Sequence, residues 1–174
     1  KHADGTKTER WFDRNAVEIR RMESGVLQFE STVSADGMAR TWTDGADRKT
    51  TYHYNDAGQV MQVDQPDGTF SLYEYSPALG LVTSVTDSRG LVTRATYDAA
   101  GRVLTITANW GTDYQATTTF TYYTAGEDAE NVGRLKSVTD PRGLTLVREY
   151  TKAADAPAPA GLVKRVYDAA DPQM

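Results

Sequence analysis

Glycine recurs at a fixed interval along this 174-residue chain. Gly58 and Gly68, Gly80 and Gly90, Gly101 and Gly111, and Gly133 and Gly143 form four pairs whose members stand ten positions apart. Seven positions beyond the second glycine a tyrosine follows in three of the four cases, as Tyr75, Tyr97 and Tyr150. Such a period describes an array of one small unit that buries its apolar side only against its neighbours. The expected product is an extended sheet with an architectural role.

The turns share one chemistry. Asp98-Ala99-Ala100-Gly101, Asp140-Pro141-Arg142-Gly143 and Asp87-Ser88-Arg89-Gly90 all read Asp-x-x-Gly. An aspartate at the first turn position bonds the backbone two residues on, and Pro141 presets φ at the next position. The glycine then adopts the left-handed conformation that closes a hairpin through a bulge. Gln65-Pro66-Asp67-Gly68 and Asn55-Asp56-Ala57-Gly58 vary the theme. Turns at this spacing leave strands of about six residues, the common length.

Val103 to Thr107, Thr117 to Tyr122 and Leu144 to Val147 are rich in β-branched or aromatic residues and free of Gly and Pro, so they are expected as strands. Period two puts Thr69, Ser71, Tyr73 and Tyr75 on one face, with Phe70 and Leu72 opposite. Residues 1–50 are less regular than residues 51–174. Asn15 to Glu23 has capping-box spacing, but Val17 and Ile19 alternate, which favours a hairpin through Ser24-Gly25. Two segments break the period: the acidic stretch Thr124 to Val132 and the Ala-Pro stretch Lys152 to Ala160. Both are expected to project from the sheet. Neither marks a domain boundary, since Gly133 and Gly161 resume the pattern, so residues 1–174 read as a single array.

Composition supports a thin sheet. Hydrophobic residues make up 39% and mean hydropathy is -0.56, while ten tyrosines and many threonines stand where a thick core would carry Leu and Ile. The net charge of -5, with scattered basic residues, argues against nucleic acid as a partner. No cysteine is present, which excludes a disulfide framework and thiolate chemistry. No apolar stretch reaches the ~18 residues of a membrane-spanning helix. Lys1 to Gly5 shows no signal-peptide pattern. From Gly5, seven positions lead to Phe12-Asp13, the register of Gly68 to Tyr75, so the chain is expected to be a piece of something longer.

The run Tyr97-Asp98-Ala99-Ala100-Gly101-Arg102-Val103-Leu104, and the run from Gly133-Arg134-Leu135 through Asp140-Pro141-Arg142-Gly143 to Tyr150, resemble the tyrosine-aspartate (YD) repeat of the Rhs family. That pattern is roughly YDxxGRLxxVTDPxGxxTxYxY, and the resemblance covers Tyr52 to Asp168 and extends to Asp4 to Asp13. Tyr54 and Tyr122 are further repeat tyrosines. The family includes polymorphic bacterial toxins, insecticidal toxin complexes and the teneurins. The resemblance implies an all-β fold of antiparallel hairpin repeats forming an extended, curved or spiralling sheet. It also implies a secreted or cell-surface location and a shell that encloses a toxin domain among other repeats of the parent protein. Asn55 and Gln59 depart from the pattern's Asp and Arg, and Ala108-Asn109-Trp110-Gly111 lacks the Asp-Pro. The last unit, Gly161 to Asp171, stops before a turn glycine. The family's shell-closing and self-cleaving segment is not recognisable, so no autoproteolytic residue carries over.

Geometry limits what these residues enclose alone. About fourteen strands at ~4.8 Å spacing give a ribbon ~67 Å wide. At a tilt near 40° the ribbon closes to a diameter of ~28 Å. A cargo of about 100 residues, with a radius of gyration near 13 Å, measures about 34 Å across. Enclosure is therefore expected only of the parent.

Chemistry-bearing residues are sparse. His2 and His53 are too few for a metal centre or a triad, so no metal and no cofactor is expected. Asp44/Asp47 and Asp64/Asp67 are expected to serve turns rather than act as glycosidase carboxylates or calcium ligands. Arg89, Arg102, Arg134 and Arg142 are expected as cross-strand charge partners. Trp11, Trp42 and Trp110 are the candidate ligand contacts, flat rings suited to sugar stacking as well as to cross-strand packing. The leading reading is a structural, non-enzymatic shell segment, and the rival is a cell-surface adhesion or carbohydrate-binding module. A cut sheet has open edges, so self-association is also expected.

Overall fold

The structure, a computed structural model, describes residues 7–155 and 157–171. His2 and the Asp4-Gly5 start of the first repeat unit lie outside the described residues.

Fourteen strands follow one another: β1 Thr8–Phe12, β2 Glu18–Glu23, β3 Val26–Val33, β4 Ala39–Asp44, β5 Lys49–Tyr54, β6 Val60–Asp64 and β7 Phe70–Tyr75, then β8 Val82–Asp87, β9 Val92–Tyr97, β10 Val103–Ala108, β11 Ala116–Tyr122, β12 Leu135–Thr139, β13 Thr145–Tyr150 and β14 Val163–Asp168. A single helical turn, Ala153–Asp155, interrupts the β13–β14 connection. The strands form one sheet in chain order, β1 and β14 outermost. Nearest-neighbour order follows from short connections, which leave each strand no partner closer than the next.

Turn chemistry sets the rhythm. Gly58, Gly68, Gly80, Gly90, Gly101, Gly111, Gly133 and Gly143 all lie at φ between 67° and 89°, a region closed to most side chains. Ser24 and Gly25, at φ 50° and 84°, make the two-residue hairpin between β2 and β3, with Glu23 facing Val26. Two left-handed central residues match the twist of the flanking strands. Residues Asn15 to Glu23 are thus not helical. The β1–β2 turn carries no glycine: Ala16 takes φ 60°, held because Asp13 Oδ1 accepts from the backbone N–H of Asn15 (2.8 Å) and of Val17 (3.0 Å). The register shifts by a bulge where the aromatic residue meets its turn, at Phe12, Tyr54, Tyr122 and Tyr150, and on β10 opposite Tyr97.

Residues 7–74 with 85–90 form one compact unit, and residues 75–84 with 91–171 form another. In the first, Val63 and Ser31 are buried, and Phe29 packs on Trp42 with ring centroids 5.6 Å apart. In the second, Tyr150 is buried together with the small polar residues Ser84, Thr107 and Ser137. Cross-strand hydroxyl pairs run through it: Thr96 with Thr105 (2.6 Å), Thr107 with Thr117 (2.9 Å), Thr121 with Ser137 (2.7 Å) and Thr139 with Thr145 (2.8 Å). Such pairs let a sheet bury small polar residues without an apolar core, each contributing a fraction of a kcal/mol up to about 1 kcal/mol.

Candidate functional site

The most regular side-chain chemistry lies where each tyrosine meets its turn. In the second unit Asp98 Oδ1 accepts from the backbone N–H of Ala100 and of Arg102, both at 2.9 Å, while Oδ2 takes the Arg102 guanidinium at 2.6 Å. The Arg102 backbone amide is the largest influence holding the Asp98 carboxyl below the usual range; partial burial opposes it, and the guanidinium and the Ala100 amide add to it.

Each tyrosine then reaches back to the neighbouring hairpin. Tyr97 Oη donates to the Val82 carbonyl (2.6 Å), Tyr122 Oη to Val103 (2.8 Å) and Tyr150 Oη to Leu135 (2.9 Å). Val82, Val103 and Leu135 all stand two positions after a turn glycine and open their strands. The residue between, one after the glycine, points forward. A Cβ on Gly101 would meet Leu81 Cδ1 at 3.3 Å, and one on Gly133 would meet Arg102 Nη1 at 3.1 Å. One on Gly161 would lie 2.6 Å from Arg134 Cζ. Arg102 stacks over Tyr122 (4.7 Å) and Arg134 over Tyr150 (5.4 Å). The glycines therefore serve a second purpose, which spacing alone did not reveal: they leave room for the preceding unit's side chain.

The first unit holds a neutral version. Asn55 Oδ1 accepts from Ala57 N–H (3.0 Å) and Gln59 N–H (2.9 Å), and its Nδ2 donates to Gln59 Oε1 (3.0 Å). The two departures from the repeat pattern are thus one exchange of an ion pair for an amide pair.

The arginines differ from the cross-strand reading. Arg89 binds Asp87 and Arg142 binds Asp140 within their own turns, as Arg102 binds Asp98. A carboxylate two or four residues away costs less side-chain ordering than one across a strand. Asp44 likewise accepts from Ala46 and Arg48 N–H and pairs with the Arg48 guanidinium, and Asp67 caps Thr69. Asp64, the last residue of β6, is the exception among the paired aspartates: instead of capping a turn it accepts from Gln62 Nε2 (2.6 Å) and meets His53 Nε2 (2.7 Å). Its carboxyl is held low, first by Gln62 and then by His53. No nucleophile bonds this half-exposed pair, and no cluster of three His, Cys, Asp or Glu able to hold a metal occurs among the described residues.

The tryptophans sit apart. Trp110 lies in the β10–β11 turn with Arg94 stacked 3.6 Å over its ring, which covers one face. Trp11 packs under Arg20, and Trp42 between Arg40 and Phe29. Beside Trp42 runs a groove of about 350 Å³ lined by Phe29, Asp44, Arg48, Thr50, Gln65 and Pro66 among others.

The two period-breaking loops do not project independently. Lys152 Nζ reaches Asp128 Oδ2 (3.3 Å) and Ala153 N–H donates to Glu130 Oε2 (2.7 Å). Asn131, fully buried, donates to Asp128 Oδ2 (3.1 Å), and Lys136 pairs with Glu127. The loops thereby flank a half-open pocket of about 390 Å³ over Tyr123 and Tyr150, whose rings meet edge to face at 6.2 Å. Its charged lining is already paired internally, Lys164 with Asp155 and Arg165 with Glu149.

Comparison with known proteins agrees with this geometry. The family model described as RHS Repeat matches residues 34–69 and 75–113. No curated protein sequence matches the chain. A crystal structure of TcdB2-TccC3-Cdc42 is similar over 94% of this chain and 9% of its own, with a TM-score of 0.61 and 16% identity. A structure of the Photorhabdus luminescens Tc holotoxin pore is similar over 92% of this chain and 9% of its own, with a TM-score of 0.63 and 16% identity. At that identity the likeness is one of fold, and the chain spans about a tenth of those structures' length.

Proposed function

The chain is an RHS-repeat protein over residues 34–69 and 75–113, and from that premise we propose that it is a structural, non-enzymatic segment of a larger repeat shell. One observation carries the reading. Three repeat tyrosines in the second unit, Tyr97, Tyr122 and Tyr150, place their hydroxyl on a carbonyl two residues past the preceding unit's turn glycine, so the recurrent side-chain chemistry joins each unit to the one before it. Partners are then the other repeats of the parent protein and a toxin domain enclosed by it, and the parent acts outside the cell that makes it. Among the described residues no helix is long and apolar enough to cross a membrane. The test uses the parent protein. Deleting the two strands β10 and β11, residues 98–122, should expose the enclosed domain to added protease, while the intact parent protects it. Equal cleavage rates in the two proteins would remove the enclosure reading.

A second reading has one observation in its favour. Phe29 and Trp42 form an aromatic wall beside Gln65 and Thr50, a combination suited to a neutral sugar. Titrating the chain with neutral oligosaccharides should change tryptophan fluorescence, and Trp42→Ala should abolish the change if this groove binds them. No change at millimolar sugar would eliminate it.

A further inference from the structure

We propose that the half-open pocket between the two period-breaking loops binds a neutral mono- or disaccharide. Nothing in the repeat calls for this pocket. Segments 124–132 and 152–160 interrupt the period, and with Tyr123 and Tyr150 they furnish most of its walls. Both segments are held in place. Asn131 is 1% exposed, Thr151 8% and Asp128 9%, and Thr151 Oγ1 donates to the Pro159 carbonyl (2.6 Å) while accepting from the Leu162 N–H (2.9 Å). The volume of about 390 Å³ stands at the low end of the ~300–1,000 Å³ of small-molecule pockets, which suits one or two sugar rings.

The charge pattern selects the ligand class. Each of the four carboxylates in the lining already holds a cation of its own, so charge in the site balances. An ionic ligand would have to break one of these pairs. Hydrogen-bonding capacity, by contrast, is not spent. An ammonium carries three N–H donors. Lys152 Nζ reaches one carboxylate oxygen, Asp128 Oδ2 (3.3 Å), and Lys164 Nζ reaches one, Asp155 Oδ1 (2.7 Å), so each keeps two donors for a ligand. Glu149 engages Arg165 through Oε1 (3.2 Å), which leaves Oε2 as an acceptor. Hydroxyl groups both donate and accept, and they add to this set without displacing an ion. The floor is aromatic: the hydroxyls of Tyr123 and Tyr150 are taken up by the carbonyls of Arg148 (2.7 Å) and Leu135 (2.9 Å), and the rings meet edge to face. Burial, ahead of the charges around it, pushes the Tyr123 phenol up, which marks a sheltered floor. A saccharide matches both layers, its C–H groups against the rings and its hydroxyls against the ions. A purely apolar ligand would instead strip water from charged groups and return no hydrogen bond.

Isothermal titration and saturation-transfer NMR on the whole chain test this, with lactose, maltose, cellobiose and diacetylchitobiose as probes. At least one should bind, with an affinity that is the same at low and high salt because no ion pair is exchanged. Trp42→Ala removes the groove beside Phe29 and should leave that affinity unchanged, which separates the two sites. Lys164→Met removes two free donors but spares the Lys152–Asp128 pair, and it should weaken binding about tenfold, the loss expected for a hydrogen bond to a charged group. Should Lys164→Met disturb the Ala153–Asp155 turn in its amide spectrum, Glu149→Gln removes the free acceptor instead and should also weaken binding. Glucuronate and glucosamine, which carry a charge, should bind more weakly than the neutral probes. Four results would each overturn the proposal: no signal from any probe up to ~20 mM, well above a millimolar Kd; binding lost in Trp42→Ala; binding untouched by the pocket variants; or a charged sugar that binds more tightly.

Discussion

Alanine at Gly143 and at Gly161 separates the two purposes that turn glycines serve. Gly143 lies at φ 89° with nothing within 4 Å of an added Cβ, so Gly143→Ala meets only the left-handed backbone strain. That strain amounts to ~1–2 kcal/mol. Gly161 lies at φ 83°, so the same strain applies, but its Cβ would stand 2.6 Å from Arg134 Cζ. The guanidinium is the far end of a flexible side chain and can swing aside, yet only by leaving the Tyr150 ring it overlies. A cation–π contact contributes ~0.5–1 kcal/mol at an exposed site and ~2 kcal/mol when desolvated. Gly161→Ala should therefore cost ~0.5–2 kcal/mol more than Gly143→Ala, an excess of a few degrees in Tm for a chain of about this size. Urea unfolding of both variants, repeated in an Arg134→Ala background, closes the cycle. In that background the excess should vanish, because the obstacle and the lost contact are both gone. Equal costs in the wild-type background, or an excess that survives Arg134→Ala, would refute the clearance argument.

Tyr122→Phe should lose ~0.5–1.5 kcal/mol by removing the hydroxyl bond to the Val103 carbonyl. Tyr114→Phe, at a residue 84% exposed, should leave thermal unfolding unchanged. Asp98 has a depressed pKa in the fold, first through the Arg102 backbone amide, so its contribution is present above the unfolded carboxylate value and is lost as pH falls through the lower folded one. Thermal melts should thus weaken below about pH 4, and Asp98→Asn, which keeps the backbone bonds as Asn55 does, should show a shallower acid slope. Lys152→Met removes the ion pair to Asp128, so limited proteolysis should cut residues 124–132 and 152–160 faster while leaving the turn at Asp140 to Gly143 unchanged.

Much of this architecture was legible in the chain, because the turn signals are local. An aspartate bonding backbone two residues on and a left-handed glycine act within five residues, so their spacing alone marks the strand ends from Asn55 to Gly143. The first fifty residues were harder for the same reason. The β1–β2 turn places Ala16 where the pattern calls for glycine, and only Asp13's two backbone bonds reveal it. Asp64 ends its strand as the turn aspartates Asp44 and Asp87 do, but a cross-strand histidine claims its carboxylate. The arginines were expected across strands, yet Arg89, Arg102 and Arg142 found carboxylates within their own turns. The joining of the two inserted loops could not be read at all, since Lys152 and Asp128 lie far apart in sequence and share no periodic signal. Trp110 was singled out as a ring in an unusual turn, but its stacking on Arg94 depends on a neighbouring strand's register.

The seam formed by Leu81, Arg102, Arg134 and Leu162, each one residue past a turn glycine, bears on how so repetitive a chain avoids misthreading. At Gly101, Gly133 and Gly161 the preceding unit offers a side chain of a particular size and charge, leucine at the first and arginine at the other two. Slipping the chain by one hairpin would confront leucine with the place that arginine fills. The repeats are therefore alike enough to stack and different enough to be counted, and the order of units is written along a single edge.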